Sequence, residues 1–273
     1  MIKDITLGQF FPGNSVIHRL DPRVKIILTI IYIVAIFLAD SLWSFILVIA
    51  SAVTLVAISG ISWKTILKSM KPLIFVLIFT SFFNLFWTEG ETPLVDFWVI
   101  KIYPEGVYYT IMMILRITAL LIGTTILLTY TTSPIMLTDG LERLLSPLRK
   151  LKLPVHEFSM MMTIALRFIP TLIEETDKIM SAQKARGADF ETGSIMQRAK
   201  ALVPILIPLF ISAFRRADEL ATAMECRCYR GGDGRTRMTA LHLAPRDIVW
   251  LLLMLAFCAA MIVLNGVWSP IVI

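Results

Sequence analysis

The chain has 273 residues, 57% of them hydrophobic and only 17% charged, with a mean hydropathy of +0.77. A soluble domain of this length carries about a quarter charged residues, so the composition excludes a soluble globule and predicts an α-helical membrane protein crossing the bilayer several times. The net charge of +6 then reads as Lys and Arg gathered in cytoplasmic loops rather than as a footprint for nucleic acid.

Met1 to Arg23 contains the turn formers Pro12-Gly13-Asn14 and Asp21-Pro22 and no apolar core of a signal peptide, so it is expected to be a short cytoplasmic lead. Val24–Ala39 and Leu42–Ile61 are apolar runs separated by Asp40-Ser41, which predicts a tight hairpin. Pro72–Trp87, Gly106–Tyr130 and Ile248–Leu264 are three further runs. A spanning helix needs about 20 apolar residues, with a lower limit near 17, so the first and third borrow flanking residues.

The loop charges orient these five spans. Arg19, Arg23 and Lys25 precede the first, and Lys64, Lys68 and Lys71 lie between the second and third. The connection between the third and fourth holds Glu89, Glu91, Asp96 and Glu105 against Lys101 alone. This places the N-terminus and the region 131–246 in the cytoplasm and the C-terminus outside the cell membrane.

The region 131–246 is long and basic, yet it has no soluble-globule pattern. Ser133-Pro134 reads as a helix N-cap followed by proline at the first helical position. Leu137, Leu141, Leu144, Leu145 and Leu148 then recur at helical spacing. After a break at Lys150–Pro154, the stripe Phe158, Met162, Ala165, Ile169, Leu172, Thr176 and Ile179 marks a second helix that Gly187 ends. A third starts near Ser194, is bent by Pro204 and Pro208, and stops around Tyr229–Gly231. The expected fold is an all-α membrane protein: five transmembrane helices plus a cytoplasmic platform of about three long amphipathic helices. The expected parts are residues 1–130, 131–246 and 247–273. A second topology stays open, in which Val155–Ile173 and Ala201–Phe214 form an extra pair of spans. Arg167 and Pro170 in one segment, and the shortness and two prolines of the other, stand against it.

Two helix ends resemble each other. Ala185-Arg186-Gly187 and Cys226-Arg227-Cys228 both close a long helix, and sliding one onto the other aligns Asp177 with Asp218, Ala182 with Ala223 and Arg186 with Arg227. A basic residue there opposes the negative end of the helix dipole. A guanidinium at a projecting tip also offers a planar fork of donors to a carboxylate or to exposed carbonyls, which lysine cannot match.

Arg116 lies about ten residues into the fourth run, which predicts a charge near mid-bilayer. It serves either to close the bundle or to contact a partner. Asn84, Thr80 and Thr124 are its candidate acceptors. Gly123 and Thr124, and Ser51 and Ala52, are small enough to let helices approach closely. Met160, Met161, Met162, Met180 and Met196 read as core filler or as adaptable surface for a partner, core filler being the commoner use. Cys226 and Cys228 are too closely spaced for a usual zinc knuckle, and His18, His156 and His242 are dispersed, so no metal or cofactor site and no catalytic constellation is expected. Gly231-Gly232-Asp233-Gly234-Arg235-Thr236 lacks the lysine of a phosphate-binding loop and reads as a helix stop.

Leu166-Arg167-Phe168-Ile169-Pro170, Glu174-Glu175 and Ala182–Gly187, with the later run from Arg215 through Arg227, Cys228, Tyr229, Gly231, Gly232, Arg235 and Thr236, resemble the transmembrane T component of energy-coupling factor (ECF) transporters. The likeness is dense from about Thr131 to Thr236. It implies a non-catalytic coupling subunit of an importer of vitamins or metal ions. Its two arginine motifs would end cytoplasmic coupling helices docked on two ABC ATPase subunits, which could form a heterodimer. A separate substrate-binding membrane S component would sit beside it. The second motif reads Cys-Arg-Cys where the first reads Ala-Arg-Gly, so the two docking ends need not be equivalent. The residues alone leave other readings open: an enzyme acting on phosphorylated lipid through Arg227, Arg230, Arg235 and Arg237, or an ordinary ABC permease. The absence of paired carboxylates weighs against the first and the sparse polar residues of the spans against the second.

The topology is testable by labelling. In a background without native cysteines, a cysteine near Trp98 should react with an impermeant thiol reagent from outside, and one near Asp189 should not. Labelling of both from outside would favour the extra pair of spans.

Overall fold

The computed structural model describes residues 10–88, 95–97, 100–190, 192, 194–232 and 241–267. By internal contact the chain divides into one unit of Gly8–Leu141 with Leu241–Ile273 and another containing Glu142–Ala240.

In the first unit α1 is Pro22–Phe37, α2 Leu42–Ser59, α3 Trp63–Met70, α4 Ile74–Trp87, α5 Pro104–Thr124 and α6 Pro134–Leu145, whose last residues pass into the second unit. Asp21 starts α1 by accepting a hydrogen bond from the backbone N–H of Arg23 at 2.9 Å, with Pro22 at the first helical position. Gly60, at φ +71°, ends α2. Lys64 and Lys68, expected in a loop, lie on the short helix α3, which Ser62 caps. Between α4 and α5, β1 (Val95–Phe97) and β2 (Ile100–Ile102) pair antiparallel with Val95 opposite Ile102, a feature the helical patterning did not anticipate. A π-helical stretch, Thr125–Tyr130, extends α5. The remaining helices are α7 (Val155–Ala185), α8 (Ile195–Cys226) and α9 (Pro245–Val267), the last belonging to the first unit.

Two polar clusters tie the first unit together. At one end Lys25, only 1% exposed, donates to the Thr131 carbonyl at 2.7 Å, to Thr132 Oγ1 at 3.2 Å and to the His18 carbonyl at 3.3 Å. Beside it, the buried Asp247 carboxylate accepts from the N–H groups of Asp21 and Ala244 at 3.0 and 2.7 Å. The starts of α1 and α9 and the exit of α5 are thereby gathered. A buried charge is tolerated because its donors are satisfied. At the far end Asn265 accepts from the Ser41 N–H at 3.3 Å and Ser44 Oγ at 2.6 Å, and donates to the Leu38 carbonyl. The backbone of the α1–α2 turn thus finds partners inside the protein. The buried apolar core, including Leu28, Tyr32, Ile36, Val48 and Ala52, lies between the clusters.

Five helical stretches are long and apolar enough to cross a membrane: Leu42–Ser59, Trp63–Trp87, Pro104–Tyr130, Met196–Cys226 and Pro245–Val267. Their number agrees with the sequence, but their identity differs at one place. α1 has 16 residues, about 24 Å, short of a hydrocarbon core of about 30 Å, whereas α8 contains the stretch Met196–Cys226.

In the second unit a 3₁₀ turn, Ser146–Leu151, follows α6, and Lys152 at φ +60° leads into α7. Ser194 and Gln197 form a capping box at the start of α8. α7 and α8 have 31 and 32 residues, yet among the described residues only Ser159 and Ile205 on them are buried. Phe158, Met161, Met162, Met196, Phe210 and Phe214 are exposed. Met161, Met162 and Met196 therefore do not fill a core, whereas Met160 and Met180 are half-buried. Most of the stability of a protein helix comes from packing of its apolar face, so these faces require cover from lipid or another chain.

Close approach of α1 and α5 depends on Gly123. A Cβ there would stand 2.0 Å from Tyr32 Cε1, and the Tyr32 hydroxyl donates to the Ala119 carbonyl at 3.3 Å. Gly123→Ala should therefore cost about 1–3 kcal/mol through overpacking. Thermal unfolding in detergent should show a fall of several degrees, part of which Tyr32→Leu restores in the same background. An unchanged midpoint would contradict the packing.

Candidate functional site

The two arginine motifs fold into the same backbone structure. In α7, Ala185 is the last helical residue and Arg186 the cap. Gly187 takes the left-handed conformation at φ +87°. The N–H of Ala188 reaches back to the Gln183 carbonyl at 3.0 Å, and that of Gly187 to Lys184 at 3.0 Å. In α8, Cys226 is last, Arg227 is the cap and Cys228 is left-handed at φ +56°. Here the N–H of Tyr229 reaches Met224 at 3.0 Å and that of Cys228 reaches Glu225 at 2.8 Å. Both are Schellman terminations, which satisfy the last carbonyls locally. All six residues are exposed, and neither guanidinium has a hydrogen-bond or ion-pair partner among the described residues.

An ion pair sets where the tips lie. Arg216 Nη2 on α8 meets Glu175 Oε2 on α7 at 2.5 Å, both side chains being largely covered. Glu175 is eleven residues before Arg186, and Arg216 eleven residues before Arg227. The connection 187–194 joins the end of α7 to the start of α8. At the opposite end Gly232, just past α8, lies against the His156 ring in the first turn of α7; a Cβ on it would be 2.5 Å from His156 Cδ2. The helices are therefore antiparallel, and the tips are not brought together. They point to opposite ends of the pair, each roughly 16 Å from the shared contact and so about 30 Å apart along it. This is an approximate two-fold arrangement of two arginine-capped helices. The repeat offset of 41 residues that aligns Arg186 with Arg227 also aligns Glu175 with Arg216, a signal present in the sequence but not used to pair them.

His156 was also missed. Its Nδ1 lies 3.0 Å from Glu142 Oε1, which fixes the ring on which Gly232 rests. Asp233 to Arg237, including Arg235 and Thr236, lie outside the described residues. Among the described residues no group of three or more His, Cys, Asp or Glu side chains is arranged to hold a metal ion.

Arg116, in the other unit, has partners different from those expected. Its Nη2 donates to the Ala39 carbonyl at 2.5 Å and lies 3.5 Å from Asp40 Oδ1, and its guanidinium stacks over Phe45 at 5.3 Å. Asn84 instead donates to the Thr80 carbonyl and to Met113 Sδ, while the Thr80 and Thr124 hydroxyls bond within their own helices. The reason is geometric. Lys25 to Asp40 and Arg116 to Thr131 are both fifteen residues, and the pairs are joined at both ends, so Arg116 is level with the α1–α2 turn and the end of α9. A depth counted from the start of α5 misplaces it.

The two terminations differ in one respect that can be measured. A non-glycine residue in the left-handed region costs about 1 kcal/mol. Cys228→Gly should slow amide exchange at Tyr229 about fivefold, and Gly187→Cys should speed it at Ala188 by a similar factor. Unchanged rates would mean that the left-handed residue does not limit either cap.

Comparison with known proteins identifies the family. Residues 13–238 match the family described as "Cobalt transport protein" (CbiQ). A Clostridium kluyveri protein is 52% identical over 272 residues, covering 99% of this chain and 98% of the relative. A Ruminiclostridium cellulolyticum protein is 54% identical over 250 residues, covering 91% and 92%. A Bacillus subtilis protein is 45% identical over 247 residues, covering 90% and 93%. Each of these relatives is described as "Energy-coupling factor transporter transmembrane protein EcfT". With identity at this level across nearly the whole chain, the protein belongs to the family of transmembrane components of energy-coupling factor transporters.

Proposed function

We propose that this chain is the non-catalytic coupling subunit of an importer of vitamins or metal ions. In this reading α6, α7 and α8 form a cytoplasmic platform, the N-terminus is cytoplasmic and the C-terminus external. Arg186 and Arg227, with their neighbours Ala185, Gly187, Cys226 and Cys228, each dock on one ABC ATPase. A separate substrate-binding membrane subunit sits beside the chain. The chain neither binds the nutrient nor hydrolyses ATP.

The observation that carries this reading is the pair of equivalent helix terminations, whose arginines have no partner among the described residues, spaced evenly about the Glu175–Arg216 contact. Two ATPases related by an approximate two-fold axis present two equivalent grooves, and a two-fold pair of tips matches them. The bare apolar faces of α7 and α8 add support, because they leave surface for the substrate-binding subunit. Transmission requires that the tips bind the open and closed ATPase pair with different geometry, since a ligand shifts an equilibrium only through differential affinity. Cys228 in place of glycine makes the second tip distinct, which suits a heterodimer.

Loss of a charge-assisted contact in a buried interface costs about 2–5 kcal/mol, largely through faster dissociation. One tip can hold the complex when the other is lost, because the second contact is intramolecular. Arg186→Ala or Arg227→Ala alone should thus weaken ATPase retention and uptake in part. The double variant should lose both far beyond the product of the single effects, with the membrane helices still folded. A double variant that retains two ATPases and transports normally would sink the assignment.

A further inference from the structure

The short helix α3 has one side inside the protein and one outside. Ile66, 2% exposed, belongs to the buried core together with Ile126. Met70 and Ile122 border the same contact. This side is therefore held against the last turns of α5, at the bundle end that Lys25 and Asp247 close. Lys64, Lys68 and Lys71 follow at i, i+4 and i+7 on a face away from Ile66, and all three are exposed. The backbone stays helical at Lys71, with φ −51° and ψ −45°, so the third lysine keeps that register. Leu67 lies beside them, one turn on from Trp63, and both are exposed.

No acidic residue neutralises this face along its own segment. The chain has no Asp or Glu from Ser41 to Thr88, and the facing stretch Leu121–Tyr130 has none either. None of the three lysines has an ion-pair or hydrogen-bond partner among the described residues. About 20 residues, the length of a span, counted back from Trp87 reach Lys68. The lysines therefore stand at headgroup depth, where a long side chain keeps its ammonium in the polar layer. Past a 3₁₀ turn, Lys71–Leu73, α4 and α5 leave an open groove of about 340 Å³ bordered by Ile74, Ile78, Phe82, Leu85 and Ile114. From Ile74 to Leu85 it runs about 16 Å along α4. That is half of a hydrocarbon core of about 30 Å, the depth of one leaflet.

We propose that the lysine face of α3 and this groove together hold one anionic phospholipid. Its phosphate accepts hydrogen bonds from the lysine ammonium groups, Trp63 and Leu67 lie at the glycerol level, and an acyl chain follows the groove. A zwitterionic lipid would bring its own ammonium against three lysines, with no carboxylate to receive it. A free phosphate would leave the groove and Leu67 uncovered. A soluble acidic protein could meet the lysines but not a groove inside the bilayer. Positive charge orients a chain wherever it lies in a loop, whereas a site requires these particular positions. The proposal rests on the membrane-crossing character of the chain and is independent of ATPase docking.

The test is lipid retention with a matched charge control. The full chain, purified with the subunits that accompany it, is placed in nanodiscs of equimolar dioleoyl-phosphatidylglycerol and dioleoyl-phosphatidylcholine. It is then washed in detergent, and bound lipid is counted by mass spectrometry. Each lysine near an anionic surface strengthens binding about fivefold, so the wild type should prefer phosphatidylglycerol by at least about tenfold. Lys64→Gln with Lys68→Gln should abolish the preference, and Lys71→Gln alone should lower it about fivefold. Lys64→Arg with Lys68→Arg should keep it. Lys150→Gln with Lys152→Gln, which removes the same charge elsewhere, should leave it unchanged. Ile78→Trp, which fills the groove, should lower phosphatidylglycerol retention severalfold with the lysines intact. Millimolar glycerol phosphate should not displace the lipid, and circular dichroism confirms that each variant remains helical. Equal retention of the two lipids, or unchanged retention in the folded Lys64 and Lys68 double variant or in Ile78→Trp, would overturn the proposal. So would an equal loss in the Lys150 and Lys152 variant, displacement by glycerol phosphate, or loss of a subunit from the lysine variants with lipid retention unchanged.

Discussion

The ion pair between Glu175 and Arg216 fixes the geometry on which the functional reading depends. It joins two long helices at points equally distant from their ends, and those ends are built alike. A helix must stop somewhere, and its last carbonyls must find partners. Here both stops use a Schellman termination with arginine at the cap, so each guanidinium sits at a defined place on a rigid support. The chain thereby approaches two-fold symmetry in a part that has no symmetric partner of its own.

The membrane part obeys a different constraint. Its backbone polar groups must be satisfied within the protein wherever water is excluded, and two clusters do this at the two ends of α1. Lys25 and Asp247 close one end, and Asn265 with Arg116 closes the other. Between them, contact is apolar and close, with Tyr32 pressed on Gly123. The rigid bundle thus contrasts with α7 and α8, which bury little of their own surface.

Much of the fold was legible because helical periodicity and composition report burial in lipid directly. The boundaries of α5, α7 and α9 fell close to expectation, as did the caps at Ser133 and Gly187. The 41-residue offset made Arg186 and Arg227 stand out, and the structure builds both into the same termination. Contacts between distant residues were not legible. Arg116 was assigned the neighbours nearest in polarity, whereas its partners are set by the length of α1, which only the packed bundle defines. The β1–β2 pairing is too short for period-two alternation to register. α8 shows a further limit: composition alone marks it as able to cross a membrane, while its arginine-capped end and its ion pair to α7 bear on docking.

The account stands most directly on whether the tips respond to the state of the ATPases. Spin labels at Asp189 and Arg230, in a chain otherwise free of cysteine and assembled with its ATPases, would report the separation of the two ends by pulsed electron paramagnetic resonance. Coupling predicts distinct distance distributions in the nucleotide-free and ATP-bound complexes. A single unchanged distribution in both would contradict transmission through these helices.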